Sequence, residues 1–448
     1  MILSPGIVRA ALSDALAASL DGLLPEGTPR RVHGAVRMPG KVTAVLGVRR
    51  AGKTTFVHQL RRERLAAGTA RALLPYVNFE DERLAGLEGN QLGLLLEEYG
   101  RRVPDAGRLG TVLWCFDEIQ VVPGWERFVR RLLDSKSAEV IVAGSSAALL
   151  SREIRTALRG RAWSVILFPF SFPEALAHQG EPVPADPALV TSAERNRLEH
   201  AFLQWLETGG FLEAQGLDAA TRRQLLRDYV DVAILRDVVE RHGVTNIAGL
   251  RWLVRHLLVN AAGAFSVEKF HRTLKSQGIA VSRDTLHHLL AYLEDCFLVR
   301  TVWMEADSER QRMVNPRKIY PVDAGLIPLF DRSGRANLGH ALETAVLIEL
   351  ERRRCEVTYV RTPEGYEVDF LARAPDGIEH LIQVCADASD PETAEREIRA
   401  LREAGRRRRK ARRWLLTLTR DRLPPAPPAD IACQTAYQWM LAGEAAAA

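Results

Sequence analysis

"KVTAVLGVRRAGKTT", residues 41–55, decides how the chain is organised. "KVTAVLG" is an apolar run of strand length, and Gly47 to Thr55 fits GxxxxGK[ST] directly after that strand and at the mouth of a helix. There the glycines Gly47 and Gly52 let backbone N–H groups turn inward around phosphate oxygens. Lys53 reaches the β and γ phosphates, Thr54 holds Mg²⁺, and Thr55 completes the run. A purely structural glycine turn gives Lys53 no purpose. The sequence predicts a nucleotide site with ATP and Mg²⁺ as cofactors.

Further apolar runs follow: "LLPYVNF" at 73–79, "TVLWCF" at 111–116, "EVIVAG" at 139–144 and "WSVILF" at 163–168. Helix-length segments separate them, the alternation of a parallel sheet with crossover helices. "TVLWCFDEIQ" ends an apolar strand in two acids, which packing does not explain. Asp117 suits Mg²⁺ and Glu118 suits orienting and activating the attacking water, the second half of a hydrolytic site. Ser145 or Ser146, after the "EVIVAG" strand, is placed to sense the γ-phosphate, or to cap the helix that follows. Arg152, Arg155, Arg159 and Arg161 come next, and one of them could act as an arginine finger, in cis or from a neighbouring subunit.

The 448 residues make about three average domains. A content of 47% hydrophobic and 26% charged residues is ordinary for globular protein, and a net charge of +5 is too small to argue for a nucleic-acid partner by itself. Five scattered cysteines without a CxxC pair read as reduced thiols. The apolar stretch within residues 1–25 is broken by Arg9, Asp14 and Asp21, which excludes a secretory signal or a membrane span and points to a cytoplasmic protein. An amphipathic helix capping the first domain is expected there instead.

Residues 178–194 collect prolines and polar side chains as a linker, and a helical region follows. It closes with a helix opened at Ser266, a turn at Gly278, a helix opened at Ser282 and a β-rich run from Phe297, the order of a winged helix-turn-helix. Against a DNA-reading role, "SRDTLHHLLAYLED" (282–295) carries one arginine, two histidines and several acids.

The run from "DEIQVVPGWERF" through "VIVAGSS" to "FPFSFPEAL" resembles the bacterial and archaeal AAA-type ATPases with an appended helical region and a C-terminal domain of uncharacterised function. "NFED" (78–81), "ETGGFLEA" (207–214), "YVDVAILRDVVER" (229–241) and "KIYPVDAGL" (318–326) extend the resemblance over almost the whole chain. It implies an α/β fold: a P-loop AAA-type parallel sheet domain over residues 1–178, a linker and helical lid over 179–246, a winged helix over 247–334, and a smaller α/β restriction-endonuclease-like PD-(D/E)XK domain over 335–448. It further implies that Lys53 and Thr54 contact phosphate and Mg²⁺, that Asp117 and Glu118 form the Walker B pair, and that Arg161 is the arginine motif. A homo-oligomer is the expected assembly.

For that last domain, Glu343 matches the helix acid and Asp369 the strand acid of a nuclease site. Where an acid and a lysine should follow, Gln383 and Cys385 stand, and these supply neither a carboxylate ligand nor a fixed positive charge. The domain is expected to be inactive in cutting. Seven of the eight residues from Arg406 to Arg413 are basic (Arg406, Arg407, Arg408, Arg409, Lys410, Arg412, Arg413), which favours nucleic-acid contact over a solvated helix end. The reading is an Mg²⁺-dependent ATPase acting on a macromolecule, most plausibly DNA. A nucleotide-gated protein-binding or signalling module is the alternative, and an active nuclease the least favoured.

Overall fold

Val42–Leu46 (β1) is buried along its whole length, as an apolar strand must be when both faces of its sheet are covered. Four strands join it: Tyr76–Asn78 (β2), Val112–Asp117 (β3), Ala138–Gly144 (β4) and Ala162–Ile166 (β5). All are parallel, in the order β2-β3-β4-β1-β5. Leu46 pairs with Gly144 and Asp117 with Ala143, so β1, β3 and β4 all end along one edge. Phe56, Val57 and Leu60 of the helix Lys53–Ala66 pack on Val45, Cys115, Ile141 and Val165 from the sheet. The N-terminal helix Pro5–Asp21 buries Val8, Leu12, Leu16 and Leu20, one face at fourfold spacing, as expected of a helix capping this domain.

The computed structural model describes residues 5–135, 137–144, 158, 160–330 and 337–443. The chain divides into two compact units between Leu167 and Phe168, eleven residues before the expected boundary at 178. The reason is packing: Phe172 and Leu176 share a core with Leu198 and Phe202 of the helix Ser192–Thr208 and with Leu342 and Val346 of the helix Leu338–Arg352.

The second unit is built on one eight-stranded sheet, and the expected boundary at 334/335 does not interrupt it. Its strands are Ala264–Phe265 (β6), Val299–Met304 (β7), Arg317–Pro321 (β8), Glu356–Arg361 (β9), Glu367–Arg373 (β10), Glu379–Val384 (β11), Arg412–Thr417 (β12) and Ala432–Thr435 (β13). The order is β13-β12-β11-β10-β9-β7-β8-β6. Within it the helix Ile247–Val259, β6, the helices Val267–Ser276 and Arg283–Asp295, and the antiparallel pair β7–β8 follow one another, with β6 paired antiparallel to β8. Ser266 and Ser282 cap the two helices, accepting from Lys269 N at 3.4 Å and Thr285 N at 3.0 Å, as Ser residues at those positions should. Parallel pairing of Trp303 with Thr358 and Met304 with Tyr359 then joins β7 to β9, carrying the sheet onward.

Candidate functional site

Gly47 leaves β1 with φ 147°, and a Cβ there would lie 2.0 Å from Leu167 O, so only glycine admits this path. Gly52 is the N-cap of the helix Lys53–Ala66. The loop thus delivers Lys53 and Thr54 to the helix N-terminus, where free N–H groups favour an anion. Lys53 is buried, its Nζ donating to Gly47 O at 3.1 Å and Val48 O at 3.0 Å. Thr55 follows in the first turn.

The Thr54 hydroxyl donates to Asp117 Oδ2 at 2.6 Å, joining the two motifs that the sequence places 63 residues apart. Asp117 is buried at the tip of β3, and its Oδ1 has no hydrogen-bond partner among the described residues. Such an orphaned oxygen is costly unless something polar or cationic meets it, so Thr54 and Asp117 suit the Mg²⁺ that the motifs imply. Glu118 adopts a left-handed conformation, φ 51°, uncommon for a side chain of that kind and characteristic of functional turns. Its N–H donates to Ala143 O at 2.8 Å, and Gln120 Nε2 donates to its carboxylate. Burial raises the Glu118 pKa, Asp117 adds to the rise, and Lys53 opposes it.

Three contributors escaped the sequence reading. The Tyr76 hydroxyl donates to Asp117 Oδ2 at 3.0 Å, and behind it lies the Arg61 guanidinium, 5.4 Å from the ring centre. Arg61 is almost fully buried and donates to Leu74 O and Ser19 O at 2.8 and 2.9 Å, tying the N-terminal helix to the same network. The buried Arg30 donates to Ala51 O at 2.5 Å, bracing the phosphate loop from outside. Tyr76 sits in the expected strand, where its only sequence signal is a polar tip at a position registered opposite Cys115.

Arg161 does not join this site within the chain. It precedes β5, its carbonyl accepting from Val42 N at 2.8 Å, so about 13 Å of strand separates it from the phosphate loop. Its guanidinium pairs with Asp134 at 2.5 Å on the surface. A finger role in cis is therefore corrected by the register, and only one in trans is compatible with this position. Ser145, Ser146, Arg152, Arg155 and Arg159 lie outside the described residues.

The C-terminal acids do converge. Glu343 on the helix Leu338–Arg352, with Glu367 and Asp369 on β10, surrounds one Nζ, that of Lys318 from β8, at 3.2, 2.9 and 3.1 Å. Tyr320 donates to Glu343 Oε1 at 2.7 Å, and Val384 N donates to Asp369 Oδ2 at 3.0 Å. Burial alone would lower the Lys318 pKa, but Asp369, Glu343 and Glu367 together raise it. Burial, and then Asp369, raises that of Glu343. Gln383 turns its amide oxygen to Asp369 N at 3.4 Å. Cys385 donates to Asp387 O at 3.1 Å, and burial pushes its thiol up to about 11, which disfavours a nucleophile. Lys318 begins the run "KIYPVDAGL", where its place in the sequence gave no hint of these partners.

The basic run is not one surface. Arg406 and Arg407 end the helix Pro391–Arg407, whereas Arg412 and Arg413 belong to β12. Arg406 pairs with Glu403 at 2.7 Å, Arg408 with Glu305 and Glu379 at 2.6 and 2.8 Å, and Arg413 with Asp430 at 3.1 Å. Arg407, Arg409 and Lys410 are exposed. Among the described residues no helix is long and apolar enough to cross a membrane.

The AAA domain family matches residues 39–176, and a domain of unknown function, DUF8612, matches residues 199–334. An uncharacterized protein of Methanocaldococcus jannaschii is 33% identical over 373 residues, 82% of this chain and 79% of the relative. One from Haemophilus influenzae is 28% identical over 338 residues, 75% of this chain and 80% of its own. Among solved structures, the Walker-type ATPase of Pyrococcus abyssi is 16% identical with a TM-score of 0.41, the match covering 72% of this chain and 95% of that one. The Aeropyrum pernix ORC1 protein in complex with DNA is 15% identical with a TM-score of 0.26, covering 76% and 92%. The chain belongs to the family of the Methanocaldococcus jannaschii protein, and in it an AAA domain at residues 39–176 is followed by a DUF8612 domain at residues 199–334.

Proposed function

We propose that the protein is an Mg²⁺-dependent ATP hydrolase that couples nucleotide turnover to work on DNA. The observation that carries the ATPase is the Thr54–Asp117 contact at 2.6 Å beside an unpartnered Asp117 oxygen. Thr54 and Asp117 would hold Mg²⁺, which when bound offsets phosphate charge. Lys53 leaves its loop carbonyls for the phosphates. Glu118, its pKa raised, is the base that receives the proton of the attacking water, since a base works best when its pKa lies near the working pH.

The DNA part is supported by the helix-strand-helix-helix-hairpin order of residues 247–321, which we read as a winged helix. Lys269, Arg272 and Lys275 stand exposed on the helix Val267–Ser276, as phosphate-contacting residues should. A second reading, a nucleotide-gated module for a protein partner, is favoured by the pairing of Arg283 with Glu268 at 3.1 Å and by the acids that neutralise Arg406, Arg408 and Arg413. The C-terminal part we read as a nuclease-like platform that does not cut.

The test is ATP turnover across single-stranded, duplex and branched DNA, with Lys53→Ala as the blank. Stimulation that fades with salt supports work on DNA. Turnover indifferent to every nucleic acid, with no salt-sensitive binding, removes DNA and leaves the protein partner. No turnover above the Lys53→Ala blank refutes the ATPase.

A further inference from the structure

Lys318 sits at the centre of a cage. Its ammonium has three protons, and three carboxylates take them: Glu343 Oε1 at 3.2 Å, Glu367 Oε1 at 2.9 Å and Asp369 Oδ1 at 3.1 Å. The cage is built. Glu343 is held by the Tyr320 hydroxyl, Asp369 by Val384 N, and the Lys318 side chain is only 7% exposed. Carboxylates from one helix and one strand gathered about a single buried ammonium are the kind of oxygen ligand that a hard divalent cation takes. Holding the largely buried Glu343 and Asp369 beside each other without a cation would be costly, and among the described residues the cation that touches both is covalently part of the chain. As the chain stands, no group of three or more His, Cys, Asp and Glu among the described residues is arranged to hold a metal.

We infer that this pocket is a divalent-cation position that the chain has filled with its own ammonium. The wild-type protein takes no Mg²⁺ or Mn²⁺ there, and removing the charge of Lys318 opens a metal site formed by Glu343, Glu367 and Asp369. The tethered cation also fixes β8 against β10 and the helix Leu338–Arg352 without a dependence on metal supply.

The experiment is calorimetric titration of the nucleotide-free full chain with Mn²⁺, paired with thermal melts. Wild type and Asp369→Asn should bind the same number of ions. Lys318→Met should bind one more ion per chain, with a melting temperature raised by Mn²⁺, and Lys318→Met/Asp369→Asn should lose both gains. Lys318→Gln, which keeps amide donors without the charge, replaces Lys318→Met if the latter does not fold. Wild-type Mn²⁺ binding that Asp369→Asn abolishes would overturn the inference, and so would a folded Lys318 variant that gains no ion. Neither result bears on the nucleotide site, because every arm is run without nucleotide.

Discussion

The hydroxyls of Tyr76 and Thr54 meet on a single oxygen, Asp117 Oδ2, from 3.0 and 2.6 Å. That leaves Oδ1 as the unengaged face of the carboxylate and fixes which way it points. Tyr76→Phe removes one of the two holds and nothing else of comparable size. A hydrogen bond to a charged group is worth about 1.5–3 kcal/mol, so turnover should fall about tenfold and more Mg²⁺ should be needed for half-maximal rate. ATP affinity should change less than about twofold. Steady-state rates against Mg²⁺ concentration, beside a fluorescent-nucleotide titration, check this. Loss of ATP affinity equal to the loss of rate would show that Tyr76 supports the loop and not the carboxylate.

Glu118→Gln keeps the shape of the side chain and removes its basicity. Turnover should drop about 10²- to 10³-fold with ATP binding retained. In the wild type the base must be ionised, and its pKa is raised by burial. Activity should therefore disappear on acidification at a higher pH than an ordinary carboxylate would give, and a pH–rate profile measures the limb.

The nucleotide site was legible because its chemistry is local in sequence: Gly47 to Thr55 is contiguous, and Asp117 and Glu118 stand at the end of a plainly apolar strand. Tyr76, Arg61 and Lys318 were not legible, because each reaches its partner through tertiary packing that no spacing encodes. The choice between cis and trans for Arg161 was not legible either. Proximity in sequence to the sensor strand said nothing about which end of β5 it would occupy. The continuity of packing across 178 and 334 was not legible either, because apolar residues on both sides of each position share one core through tertiary contacts.

Asp323 is buried, accepting from Gly210 N at 2.6 Å and Gly325 N at 2.9 Å, and burial raises its pKa from 3.8 to about 6. The folded state thus holds a proton more tightly than the unfolded one. Its contribution is present below about pH 4 and is lost as pH rises through 6, a span worth about 3 kcal/mol. Denaturant unfolding at intervals from pH 4 to 7 should show that decline, and Asp323→Asn should flatten it. An unchanged slope in the variant would assign the decline to another group.

Gly209→Ala strikes the same knot. The residue has φ 78°, and an added Cβ would lie 1.8 Å from Asp323 Oδ1, so the carboxylate or the turn must move. A loss of about 3 kcal/mol or more is expected, read as a lower denaturation midpoint. A variant as stable as the wild type would show that the turn relaxes freely.

The parallel seam of Trp303 and Met304 with Thr358 and Tyr359 has a practical consequence for anyone dividing this protein. A fragment that stops at residue 334 would keep β8 beside β7 but strip it of β9, leaving a raw strand edge with Trp303 and Met304 on it, a template for self-association. It would also deprive Lys318 of all three counter-charges at once. Cutting between Leu167 and Phe168 severs no strand pair among the described residues, which makes that the place to separate the two halves and ask what each does alone.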